Sequence, residues 1–383
     1  MTGSSDISRR EFTKVAAVAA IAGSLDARML SALQRSSRRR WPGYADAMVI
    51  DALASPGPFN VPNRTGSPLT DVMLANARSS GITAVNVTVS GSGLGHAAFD
   101  TTFREFGYWE RELTHHPDVL LKVQSVADLA NAKETERLGL IYGFQDATML
   151  EGDVSRLPLF HNHGVRVIQL TYNVRNKLGD GCLEPANAGL SRFGHTVVES
   201  MNDLGMLVDL SHCGQRTTAD AIAASRLPVA CTHSGCSAVY EHPRSKHDRE
   251  LRVLADKGGV IGIYMMPFLN AEGPARIEHF LRHVEHAVQV CGEDHVGVGS
   301  DNSITATVAD DAYRKTLYEF ANERQRLGIG APREHEVLFV EGLNRPRRME
   351  IIADALLERG YSESRVEKII GGNFARLFGE VWR

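Results

Sequence analysis

From Met48 to Ser300 the chain alternates short, almost wholly apolar runs with longer stretches whose apolar residues recur every three or four positions. The runs are Met48–Leu53, Ile82–Val89, Leu138–Gln145, Val165–Thr171, Met206–Ser211, Pro228–Thr232, Gly259–Tyr264 and Val296–Ser300. A run that is apolar throughout is a strand covered on both faces. The intervening stretches, such as Leu69–Ser79, Phe193–Leu204, Thr217–Ala224, Ile277–Val290, Met349–Arg359 and Ser364–Phe378, read as the covering helices. Val119–Gln124 is a possible ninth strand, short enough to be an extra or a helix approach. Eight such units predict an α/β fold, a (β/α)8 TIM-type barrel over 47–383, as a single domain. A doubly wound sheet is the competing architecture, but no glycine-rich phosphate loop follows the first run, which continues Asp51-Ala52-Leu53-Ala54.

In such a barrel the active groups sit at the C-terminal ends of the strands. Those ends offer Asp51, Asn86, Gln145, Tyr172, His212, His233, Tyr264 and Asp301, all polar. His212 and His233 end neighbouring strands, so their imidazoles are placed to meet, and neutral imidazole is a good ligand for zinc and similar ions. The polar loop from Thr171 to Cys182 follows a strand end, and its Tyr172, Asn173 and Arg175 suit a polar substrate. Of the fifteen histidines, His161, His163, His242 and His247 fall in helical or loop stretches and read as solvated surface. Lys and Arg total 42 against 46 Asp and Glu, a net charge of −4, which gives no reason to expect a nucleic-acid partner.

The N-terminus is of another kind. Ser8-Arg9-Arg10-Glu11-Phe12-Thr13-Lys14 precedes an Ala-rich apolar run, Val15 to Ala22, and resembles a twin-arginine export signal over 1–30, followed by a basic linker over 31–46. That run is far shorter than the roughly 20 residues a stable transmembrane helix needs. Export to the periplasm or cell surface is the expectation. Five scattered cysteines, without CxxC spacing, argue against both a disulfide scaffold and a zinc ribbon.

Several stretches together resemble the membrane dipeptidase (renal dipeptidase-like) metallopeptidase family. They are Gly189-Leu190-Ser191-Arg192-Phe193-Gly194, the run Met201 to His212, Thr232-His233-Ser234, Gly297 to Asp301, and Gly371-Gly372-Asn373-Phe374. The resemblance implies a barrel hydrolase with two zinc ions that cleaves dipeptides and often forms homodimers. It maps Asp301 onto the family's catalytic Asp, Arg244 onto the Arg that grips the substrate carboxylate, and His212 and His233 onto the ligands of one metal. The family's D-G-H-x-D at the first strand end is here Asp51-Ala52-Leu53-Ala54-Ser55, so the His and Asp ligands are lost to Leu53 and Ser55. Gln145 stands where the family has its bridging Glu, and Tyr172 where it has a substrate-contacting His.

Two divalent ions about 3.5 Å apart repel by on the order of 20 kcal/mol at an effective dielectric of about 20, unless carboxylates lie between and around them. With both carboxylates gone, one divalent ion per chain, zinc or another, is expected on His212 and His233. Asp51, Asp146 or Asp180 is a candidate for the missing ligand, with Gln145 beside it. The expected function is an exported hydrolase of a dipeptide or related small amide, with Asp301 as base and Arg244, Tyr172 and Asn173 at the substrate. A family member that has lost hydrolysis and binds or remodels a small peptide-derived ligand is the alternative.

Overall fold

The computed structural model describes residues 40–60, 67–90 and 98–382. The leader read over 1–30 and most of the linker lie outside them. Each apolar run contains one strand: β1 (Ile50–Asp51), β2 (Ala84–Thr88), β3 (Leu138–Phe144), β4 (Val165–Gln169), β5 (Leu207–Asp209), β6 (Ala230–Cys236), β7 (Val260–Ile263) and β8 (Val296–Val298). They pair in parallel and in chain order from β1 to β8. The ninth run is a strand too, Leu120–Val123, but it lies off this path, against the first half of β3. The helices lie between successive strands, as the α/β reading requires.

The seam between β8 and β1 closes the barrel. Ala52 donates its N–H to Val298 O at 2.9 Å, and just beyond it Ala54–Ser55 pairs in parallel with Asn302–Ser303. Arg348, the first residue of the helix Arg348–Glu358, is buried in this seam. Its Nη2 donates to Asp51 Oδ2 at 2.9 Å and to Ser300 Oγ at 2.9 Å, and its Nη1 to Ser303 O at 2.6 Å. Asp51 accepts further bonds from the backbone N–H of Ser300 and Leu53. A buried ion pair bonded on all sides holds the first strand to the last.

The opposite end of the barrel is plugged by the C-terminal helix Asn373–Val381, which brings Phe374, Leu377 and Phe378 against the strand starts Ile50, Ala84, Leu207, Ala230 and Val260. Each fully buried side chain of this kind stabilises the fold by about 1.5–3 kcal/mol. The single helix read over Ser364–Phe378 is interrupted at Gly371, where a Cβ would lie 2.1 Å from Met48 O. The chain bends there to pass under β1. Among the described residues this packing fills the end of the barrel opposite the strand ends. Among the described residues no helix is long and apolar enough to cross a membrane, and all five cysteines are unpaired.

Candidate active site

The strand-end residues divide into two groups. On the β1–β3 side they serve the barrel: Asp51 holds Arg348, Asn86 Nδ2 donates to Ala52 O at 3.0 Å, and Gln145 Nε2 donates to Thr88 Oγ1 at 2.8 Å. On the β4–β8 side, buried His212, His233, Arg244 and Asp301 gather with half-buried Tyr172 into one polar site.

His212 and His233 meet with their Nε2 atoms 3.0 Å apart. Their tautomers follow from their partners. Asn173 donates Nδ2 to Ile329 O at 2.8 Å, so its Oδ1 accepts from His212 Nδ1 at 2.6 Å. Thr232 gives its hydroxyl proton to Asp209 Oδ2 at 2.6 Å and therefore accepts from His233 Nδ1 at 2.9 Å. Asp209 is anchored on its other oxygen by the N–H groups of Ser211 and Thr232 and the Ser211 hydroxyl. Both rings thus carry their proton on Nδ1, and two Nε2 lone pairs face each other. Such an arrangement calls for a shared cation between them. Burial, then the nearby Arg244 guanidinium, pushes both imidazoles well below their usual range, so both are neutral at pH 7, the form that ligates a metal.

This donor set fits one divalent ion. Among the described residues no third His, Cys, Asp or Glu joins the pair in a group that could hold a metal. The three carboxylates considered from sequence are committed elsewhere: Asp51 to Arg348, Asp146 to Thr148 and to Asn176 at 2.7 Å, and Asp180 to Arg175 at 2.6 Å. The remaining coordination positions of an ion on the pair would fall to water and substrate oxygen. Leu53, Ser55 and Gln145 present no carboxylate.

Asp301 sits at a φ of 58° and Asn60, which holds it, at 54°. A left-handed non-glycine residue costs about 1–3 kcal/mol and persists only where its surroundings enforce it. Here Asn60 Nδ2 donates to Asp301 O at 2.6 Å and to its Oδ1 at 3.2 Å, while Asp301 N–H donates to Leu53 O at 2.8 Å. Burial pushes the Asp301 carboxyl up to about 6, against the lowering effect of Arg244 and of the Asn60 bond. The strands beneath are packed by glycine: a Cβ on Gly262 or Gly299 would lie 2.0 or 1.9 Å from Thr232 O.

Arg244 is 3% exposed, yet among the described residues its guanidinium makes one long hydrogen bond, Nη2 to His233 O at 3.4 Å, lies 5.9 Å from the centre of the Tyr264 ring, and has no partner on Nε. A buried guanidinium with so few partners has donors free for an anion. His242, read from sequence as surface, is buried: it stacks on Phe268 at 4.5 Å, accepts the Arg244 N–H on Nδ1 and donates Nε2 to Pro332 O at 3.0 Å. Tyr172 stacks on His212, ring centroids 4.1 Å apart. Asn173, read from sequence as a substrate contact, has both ends of its amide bound within the protein. Sequence reading missed Asn60, Asp209, Thr232 and the Arg324–Glu334 pair. Only Asp209 and Thr232 carried a signal, lying three residues and one residue before the two histidines.

The model of the family described as "Membrane dipeptidase (Peptidase family M19)" matches residues 59–319, which include His212, His233, Arg244 and Asp301. This chain belongs to the membrane dipeptidase family. The chain is 29% identical over 290 residues to dipeptidase tcpJ of Claviceps purpurea, covering 75% of this chain and 61% of the relative. It is 32% identical over 255 residues to dipeptidase verJ of Clonostachys rogersoniana, covering 64% and 62%. The chain thus spans about three-fifths of the length of these curated relatives. The crystal structure of an amidohydrolase from Pseudomonas aeruginosa superposes with a TM-score of 0.76 at 30% identity, over 88% of this chain and 98% of that one. In this member of the family the first strand end, Asp51 to Ser55, is part of the barrel seam.

Proposed function

We propose that this chain is an exported hydrolase of a dipeptide or related small amide, working with a single divalent ion held by His212 and His233. The observation that carries the reading is the pair of opposed Nε2 lone pairs beside the open guanidinium of Arg244. Zinc, when bound there, supplies Lewis acidity toward the scissile carbonyl. Arg244 takes the substrate's carboxylate and so fixes where the amide lies. Asn60 occupies Asp301 Oδ1, which leaves Oδ2 to take a proton from the attacking water and return it to the leaving amine. Burial of both imidazoles and of Asp301 excludes competing water. Export rests on the Arg9-Arg10 leader.

A second reading has two observations behind it: among the described residues no third protein ligand joins the pair, and Arg244, Arg324 and Lys246 all bear on His212 electrostatically. On that reading the site binds a small anionic ligand without a metal and without turnover. Elemental analysis of the purified protein, followed by a panel of dipeptides, separates the two. About one zinc per chain with release of free amino acids supports the hydrolase. No metal, with carboxylate ligands that bind and are not cleaved, replaces it with the second reading.

A further inference from the structure

The segment Ile329–Glu334 lies far in sequence from every strand that builds the site, yet it touches both halves of it. Its Ile329 carbonyl accepts Asn173 Nδ2 at 2.8 Å, the bond that turns Asn173 Oδ1 toward His212. Its Pro332 carbonyl accepts His242 Nε2 at 3.0 Å, and His242 in turn receives the N–H of Arg244. One short segment therefore sets the ring that faces the metal position and the backbone of the residue that faces the substrate carboxylate.

That segment is held down from within by Arg324, the antepenultimate residue of the helix Asp311–Arg326. Arg324 pairs with Glu334 through two hydrogen bonds, Nε to Oε2 at 2.6 Å and Nη2 to Oε1 at 3.0 Å. Its Nη2 also reaches Ile329 O at 3.3 Å, and its guanidinium lies 5.5 Å from the centre of the Tyr172 ring. Tyr172 is the ring stacked on His212. Both members of the pair are largely shielded, with side-chain exposures of 13% and 11%, so the two-pronged geometry is not diluted by solvent as a surface pair would be.

We infer that Arg324, latched by Glu334, is a positioning residue that sets His212 through Tyr172 and Asn173 and sets Arg244 through the Pro332–His242 contact. This rests on the proposed function only in giving His212 the metal and Arg244 the carboxylate. Loss of a partner that orients a ligating histidine typically costs 10–100-fold in metal affinity. A latch that serves both halves also predicts a raised KM, which a residue supporting His212 alone would not produce.

The test uses the full chain with Arg324→Met and, as a near-isosteric variant that keeps the fold, Glu334→Gln. Zinc affinity is measured by competition with a chromophoric chelator, and KM and kcat on a cleaved dipeptide. The tautomer of His212 is read in zinc-free, 15N-histidine-labelled protein by long-range proton–nitrogen correlation. The expected result is zinc affinity lowered about tenfold or more, a raised KM, and loss of the single Nδ1–H tautomer of His212 in both variants. Folded variants with wild-type zinc affinity, KM and tautomer overturn the inference. If wild-type protein binds no zinc and cleaves no dipeptide, the functional reading fails on its own, and the His212 tautomer still decides the latch: unchanged in both variants, the latch is refuted.

Discussion

Removing the Arg348 guanidinium tests whether Asp51 is barrel seam or metal ligand. Asp51 is fully buried and Arg348 is 1% exposed, and among the described residues the guanidinium is the only cation bonded to that carboxylate. Arg348→Met leaves Asp51 with two backbone N–H donors, from Ser300 and Leu53, and no counter-charge. Breaking a buried pair in this way costs about 3–5 kcal/mol, most of it from the stranded charge. About 340 residues from Gly43 onward, at about 2.1 cal/mol/K each, give an unfolding entropy near 0.7 kcal/mol/K, so a loss of about 4 kcal/mol lowers Tm by about 6 °C. The double variant Arg348→Met with Asp51→Asn removes the charge and keeps an acceptor for Ser300 and Leu53, and recovers most of that loss. Urea unfolding monitored by circular dichroism, with zinc counted on the folded protein, measures both quantities. A loss below about 1 kcal/mol for Arg348→Met refutes the seam argument. A folded Asp51→Asn protein that loses its zinc reassigns Asp51 as a ligand.

Three further outcomes are expected. With Asp301 ionising near 6 and acting as a base, kcat/KM falls tenfold per pH unit below about 6 and levels above it. Asn60→Ala, which removes a bond that favours the charged form, moves that limb to higher pH; a limb near pH 4, or one indifferent to Asn60, discards Asp301 as the base. Arg244→Ala raises KM for dipeptides while an analogue with an amidated C-terminus is affected far less, and equal losses on both show that Arg244 does not bind the carboxylate. Gly299→Ala puts a methyl 1.9 Å from Thr232 O and destabilises the β6–β8 packing by several kcal/mol, read as a lowered urea midpoint; a wild-type midpoint contradicts the close approach.

Much of this molecule is written locally. A strand buried on both faces has to be apolar along its length, and its crossover helix has to carry one apolar stripe, so the eight strands could be read from periodicity, and their number with the missing glycine-rich loop pointed to a barrel, while the run at Leu120–Val123 stayed open between an extra strand and a helix approach. Strand ends likewise announce themselves by a change from apolar to polar, which placed His212, His233 and Asp301 at the mouth. That Leu53, Ser55 and Gln145 carry no carboxylate was equally a matter of residue type.

What surrounds such residues depends on partners that sequence spacing does not reveal. Asp51 looked like a strand-end ligand until Arg348, 297 positions away, filled the seam and took its charge. Asn173 looked like a substrate contact until Ile329, 156 positions away, fixed which end of its amide faces His212. His242 looked like surface until Phe268 and Pro332 buried it. Side-chain chemistry is a property of the residue, but its protonation, its free lone pairs and its availability to a ligand depend on every group packed around it, and only the closed barrel brings those groups together.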